Sequence, residues 1–197
     1  MEKIRHQLRL RSELINKLEK DELFQEQIFD AYFILKTAVR KNKKILVCGN
    51  GGSAADAQHF AAELVCRFLK QRRALPVMAL TTNSSILTAQ SNDSGFDSVF
   101  SRQVEALAEK GDVLIVITTS DVSKDGHSAN IKKALDAAAI KGAHTIGFFS
   151  SKTKKLLKMV EAAIVAPSHV TDLIQEVHEK SFHILCHLIE GDLSASD

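Results

Sequence analysis

From residue 45 onward the chain alternates short, unbroken apolar runs with stretches of helical spacing. The runs cover 45–48, 76–80, 112–117, 145–149 and 162–166. A strand with one wet face alternates apolar and polar residues, whereas a strand covered on both faces is apolar throughout. Runs of this kind separated by helices therefore predict a parallel sheet with helices on both sides, a doubly wound α/β domain. The intervening helices are expected over 54–69, within 84–107, over 128–140, briefly near 154–160, and over a long closing stretch from about 172 to 190.

The first forty residues follow a different rule. Ile4, Leu8, Leu10, Leu14, Ile15 and Leu18 recur at helical steps, as do Phe24, Ile28, Ala31, Ile34, Leu35 and Ala38, with no Gly or Pro among them. Such a stripe can cover its own domain or a second subunit. The spacing leaves both open.

Composition narrows the function classes. With 26 Lys/Arg against 24 Asp/Glu, the net charge of +2 offers no field to draw the chain to a polyanion, so no nucleic-acid partner is expected. No apolar run reaches the ~20 residues of a membrane span, and the first twenty residues are charged, without a signal-peptide core, so a cytoplasmic protein with no membrane contact is expected. Cys48, Cys66 and Cys186 lie far apart and suggest neither disulfides nor a Cys-rich metal site. At 197 residues a single domain, 1–197, is expected, with 1–40 as a helical extension.

Ligands of such sheets bind beyond the carboxyl ends of the strands, at helix N-termini. Two segments fall there. Gly49-Asn50-Gly51-Gly52-Ser53-Ala54-Ala55-Asp56 follows the first strand; its glycines allow a tight turn and close backbone approach, although it is neither a P-loop nor GxGxxG. Thr118-Thr119-Ser120 follows the third strand and precedes Gly126-His127-Ser128-Ala129-Asn130 at a helix start. Hydroxyls and backbone amides at a helix N-terminus can hold a phosphate without a lysine. Each segment alone also serves as an ordinary helix cap.

His59 and Glu63 stand four residues apart on one helical face, and Gln175 and His183 share a face of the closing helix. A His–carboxylate pair can bind a divalent metal or act as an acid/base pair, and equally can be a plain surface contact.

Taken together, these segments resemble the sugar isomerase (SIS) domain family, and within it the sedoheptulose 7-phosphate isomerases. The likeness runs from Cys48 through Leu64 almost without interruption. It continues through Arg67, Ser91-Asn92-Asp93 with Gly95-Phe96, Phe100 to Val104, Gly111 to Leu114, and Ile174-Gln175-Glu176-Val177-His178 with His183. The resemblance implies a three-layer α/β/α sandwich with a five-stranded parallel sheet, flavodoxin-like, plus N-terminal helices in the interface of a homotetramer. It implies ketose–aldose isomerisation of sedoheptulose 7-phosphate to D-glycero-D-manno-heptose 7-phosphate, the entry to the ADP-heptose of lipopolysaccharide core. Glu63 and His183 become the expected catalytic pair. Asn50, Gly51, Gly52, Ser53, Glu63, Arg67, Asn92, Asp93, Thr118, Thr119, Ser120, Ser128, Asp172 and Gln175 become expected substrate contacts. His59, Glu63, Gln175 and His183 match a zinc site described for the family, one Zn2+ per subunit.

One departure stands out. The family's hydroxyl loop usually runs Ser-Thr-Ser-Gly-x-Ser-x-Asn, and here Asp121-Val122-Ser123-Lys124-Asp125 adds five residues before Gly126. Ser128 and Ser123 then compete for the last phosphate-side hydroxyl, with Ser128 favoured by its spacing to Asn130. The added carboxylates are expected to weaken a phosphate unless they point outward, with Lys124 as an offset. Two other readings share the fold: a relative that binds the replication initiator DnaA, and a phosphosugar sensor without turnover. That relative lacks the counterparts of Glu63 and His183, which favours the enzyme.

Overall fold

A computed structural model describes residues 1–123 and 125–194. Five strands, β1 (Ile45–Gly49), β2 (Val77–Ala79), β3 (Val113–Ile117), β4 (His144–Ser150) and β5 (Ala162–Ala166), form one sheet in the order β2-β1-β3-β4-β5, every pair parallel. Successive side chains leave a strand on opposite faces. Ile45 and Val47 of β1, with Val113, Ile115 and Ile117 of β3, join one apolar core; Leu46, Cys48, Leu114 and Val116 join another on the reverse side. Two cores require cover on both faces, and the unbroken apolar runs are the sequence's record of that.

The first core lies under α2 (Glu22–Arg40), α3 (Gly52–Val65) and α7 (Thr171–Ser194), and α1 (Glu2–Glu19) adds Leu18 to it. The second lies under α5 (Ser101–Leu107) and α6 (Ala129–Lys141), with α4 (Ser84–Ser94) contributing the partly buried Leu87. The expected α/β/α sandwich with N-terminal helices is therefore present. Asp112 ties the sheet's lower edge: its buried carboxylate accepts from the Lys44 and Glu109 amides, both at 2.8 Å, and pairs with the Lys44 ammonium at 2.9 Å.

Several boundaries differ from the sequence reading. The N-terminal helix breaks at Asp21, whose carboxylate accepts from the Phe24 amide and caps α2. The helix expected over 54–69 ends at Val65, and the segment within 84–107 divides at Gly95, whose φ of 91° no helix accommodates. Near 154–160 only a 3-10 turn, Leu156–Met159, forms. The three cysteines are free. Among the described residues no helix is long and apolar enough to cross a membrane.

β1 and β3 are neighbours, but their following helices leave to opposite faces of the sheet. That reversal opens a crevice at their carboxyl ends.

Candidate active site

The crevice holds a cavity of about 530 Å³, and residues of both glycine and hydroxyl segments line it. Gly51, with φ 55°, turns the chain from β1 into α3, so the amides of the helix's first turn face the space. Asn50 and Asn130 close the floor by a reciprocal amide pair, each Nδ2 donating to the other's Oδ1 at 3.0 and 2.9 Å. This pair locks the loop after β1 to the start of α6.

The loop after β3 supplies the hydroxyls. Thr118 Oγ1 accepts from the Ser120 amide at 3.2 Å, which curls the loop, and Ser128 Oγ lies 3.4 Å from both Thr118 Oγ1 and Ser120 Oγ. Ser128 is buried in the left-handed region, φ 55°, where Gly126 leads the chain into α6. Ser123 is exposed, does not line the cavity, and accepts instead from the His127 amide. Of the two competing serines, Ser128 is the one in the hydroxyl cluster.

The inserted carboxylates stand outside the cavity lining. Asp121 accepts from the amides of Lys154, Lys155 and Leu156 at 3.0, 2.8 and 3.2 Å. Burial works to raise its pKa, but these amides and that of Val122 outweigh it and hold the carboxyl below its usual range. Asp125 is exposed outside the cavity lining, and Lys124, the expected offset, lies outside the described residues.

A second cluster sits farther along α3 and α7. His59 Nε2 is 3.0 Å from Glu63 Oε1, and His59 Nδ1 is 3.7 Å from Glu179 Oε1. His183 meets His59 edge-on at a ring separation of 5.0 Å and stacks on Phe68. Burial, with the neighbouring His59, pushes the His183 pKa down despite Glu179 and Glu63, so its ring is held in the neutral form that accepts and donates protons. One nitrogen or oxygen from each of His59, Glu179 and His183 falls within 4.8 Å of the others, a donor set that suits a divalent ion such as zinc. The other two expected ligands make contacts of their own. Glu63 holds the other nitrogen of His59, while Gln175 rests its amide where a Cβ at Gly52 would be, at the cavity edge.

The remaining expected contacts divide. Asn50, Gly51, Ser53, Thr118, Thr119, Ser120, Ser128 and Gln175 line the cavity, and Gly52 adjoins it through Gln175. Arg67 is exposed past the far end of α3. Asn92 donates to Asp93 on the exposed face of α4, and the lining residues from that region are Phe96 and Asp97. Asp172 pairs with Arg11 of α1 at 2.8 Å, while its neighbour Thr171 lines the cavity. Glu179 was absent from the sequence reading, and His127 entered it only as part of the helix-start segment. Glu179 is four residues from both Gln175 and His183, so the shared helical face already contained it.

Comparison with known proteins matches this architecture. Residues 8–150 fit the family model described as the SIS domain. The chain is 52% identical to a phosphoheptose isomerase of a Nitratiruptor species over 83% of its own length and 84% of the relative's. It is 47% identical to one from Aquifex aeolicus over 96% of both. A solved phosphoheptose isomerase from Neisseria gonorrhoeae superposes with a TM-score of 0.86 at 37% identity, covering 96% of this chain and 98% of that one. The chain belongs to the SIS domain family, in its phosphoheptose isomerase branch, and is an enzyme of the aldose–ketose isomerase class.

Proposed function

We propose that the chain interconverts sedoheptulose 7-phosphate and D-glycero-D-manno-heptose 7-phosphate, the first step toward the ADP-heptose of lipopolysaccharide core. The observation that carries this reading is the separation of the two clusters along one pair of helices. Ser53, at the cavity, and His59 are six residues apart on α3, about 9 Å of helix rise. A substrate anchored by its phosphate among Thr118, Ser120 and Ser128 must therefore extend well along α3 to reach His59, Glu63 and His183. A heptose 7-phosphate, with its carbonyl end remote from its phosphate, has that form.

In this reading Glu63 removes a proton from C1 of the ketose, leaving an enediolate across C1 and C2. His183, neutral at physiological pH, gives a proton to O2 and takes one from O1. Return of a proton to C2 yields the aldose, so no atom is gained or lost. Each group contributes ~10²–10⁴-fold by general acid–base action. Glu63 also keeps His59 oriented through its Nε2. An ion held by His59, Glu179 and His183 would supply Lewis-acid polarisation of the sugar carbonyl, using one nitrogen of His183 and leaving the other for the substrate oxygen. The active assembly in this reading is a homotetramer.

The test is a coupled assay of heptose 7-phosphate formation, with added zinc and with chelator. Glu63→Gln and His183→Ala are each expected to lower kcat by at least ~10²-fold. Full activity in either variant removes that residue from the mechanism. Binding of the sugar phosphate without turnover by the unaltered protein would convert the reading to a sensor.

A further inference from the structure

Among the described residues, two titratable groups line the cavity, Asp97 and His127. Asp97 is already paired with Lys133 of α6. His127 stands at the end of the inserted segment with its Nε2 2.7 Å from Ser120 Oγ, the hydroxyl that lies 3.4 Å from Ser128 Oγ. Its backbone is fixed on both sides: the His127 amide donates to Ser123 Oγ at 3.3 Å, and its carbonyl accepts from the Ser123 amide at 3.1 Å. Ser123 and His127 thus hold each other, which sets an imidazole beside the hydroxyl cluster.

From these positions we infer that His127 is an anion ligand of the phosphate end, supplying the positive charge that the hydroxyls and amides lack. Neither Arg nor Lys lines the cavity among the described residues. Among the described residues, a bound dianion would otherwise meet neutral donors, the N-termini of α3 and α6, and the Asp97 carboxylate paired with Lys133. Protonated, His127 donates Nε2–H toward the anion beside Ser120, a charge-assisted hydrogen bond. The other charged groups of the neighbourhood leave this role to it. Asp121 is held by the 154–156 amides, Lys155 donates to the Val122 carbonyl, Asp125 is exposed outside the lining, and Asp97 is held by Lys133. His127, two residues past the five added ones, then gives the phosphate end its charged partner.

This inference rests on the cavity being the phosphate end of the site, so the probe is sulfate, a dianion that does not itself titrate between pH 5.5 and 8. Calorimetric titration of the whole protein with sulfate is expected to show affinity falling about tenfold or more across that range, as a charge-assisted bond is lost. His127→Gln is expected to bind about tenfold more weakly at pH 5.5, with the slope gone. His127→Lys, charged throughout, is expected to hold the low-pH affinity up to pH 8, a rescue that a merely structural role would not give. An unaltered slope in His127→Gln, or no slope in the unaltered protein, overturns the inference. Failure of the underlying reading has its own signature: Ser120→Ala and Ser128→Ala would leave sulfate binding intact, or no sulfate would bind at all.

Discussion

His178 shows how a single buried ring sets the acid limit of the fold. Its side chain is fully buried on α7, where Nε2–H donates to the Phe149 carbonyl at 2.8 Å and the ring meets Phe148 edge-on. Burial pushes its pKa down to about 4, and the Phe149 carbonyl opposes this only in part. An unfolded imidazole titrates near ~6.5. Because the folded value is depressed, the neutral ring's stabilisation is complete above that unfolded value and is lost as pH falls toward about 4. The loss amounts to about 3 kcal/mol. Denaturant unfolding at a series of pH values should show it, and His178→Gln should flatten the slope by that amount even if it begins less stable. Equal slopes in both proteins would contradict the assignment. At this scale the sequence was legible wherever partners lie close along the chain. His59 with Glu63 and the Ser128–Asn130 spacing could be read locally. The Asn50–Asn130 pair and the Asp172–Arg11 bridge join residues 80 and 161 apart, and no local pattern encodes them.

Among the elements, strands were easier to read than helix ends. A strand buried on both faces announces itself by composition, and all five runs became strands. Where α3 stops depends on the opposite end of the chain. Glu190 of α7 accepts from the amides of Phe68, Leu69 and Lys70 at 3.2, 2.8 and 2.9 Å, which satisfies that backbone without a helix. Arg72 lies beside it, its Nε 3.7 Å from Glu190 Oε1, and reaches across to donate from Nη2 to the Glu63 carbonyl at 2.6 Å. One carboxylate therefore supports both the loop after α3 and the turn that carries Glu63. Glu190→Ala would strand three amides and a buried guanidinium, a loss expected to cost about 3–5 kcal/mol by denaturant unfolding. Because the disturbance reaches Glu63 through Arg72, kcat should fall as well, while Glu190→Gln, which keeps the acceptor oxygen, should lose less of both. A variant as stable as the unaltered protein would show that the loop holds itself.

At the scale of the whole molecule, the N-terminal helices cover their own domain, the first alternative left open by their apolar stripe, and also carry exposed apolar side chains. Phe24, Ile28, Ala31 and Leu35 of α2 enter the first core. On the same two helices Leu8, Leu23, Phe29 and Phe33 are about 60% exposed, large apolar side chains that a partner could cover. A separate groove of about 460 Å³ lies between these helices and α7, with Ile15, Leu18 and Ile184 on its walls. Burying a large apolar side chain contributes roughly 1.5–3 kcal/mol, so a handful of such residues on each protomer suffices to hold an assembly together. The homotetramer proposed for the active enzyme would cover this face. Light scattering coupled to size exclusion should therefore give four times the chain mass at micromolar concentration. Phe29→Asp with Phe33→Asp should reduce that mass without unfolding the domain, because neither ring belongs to the core. If the smaller species also loses turnover while sulfate binding persists, the phosphate end is complete in one chain and the reacting end requires its neighbour. A single-chain mass for the unaltered protein would remove the tetramer and return the exposed stripe to some other partner.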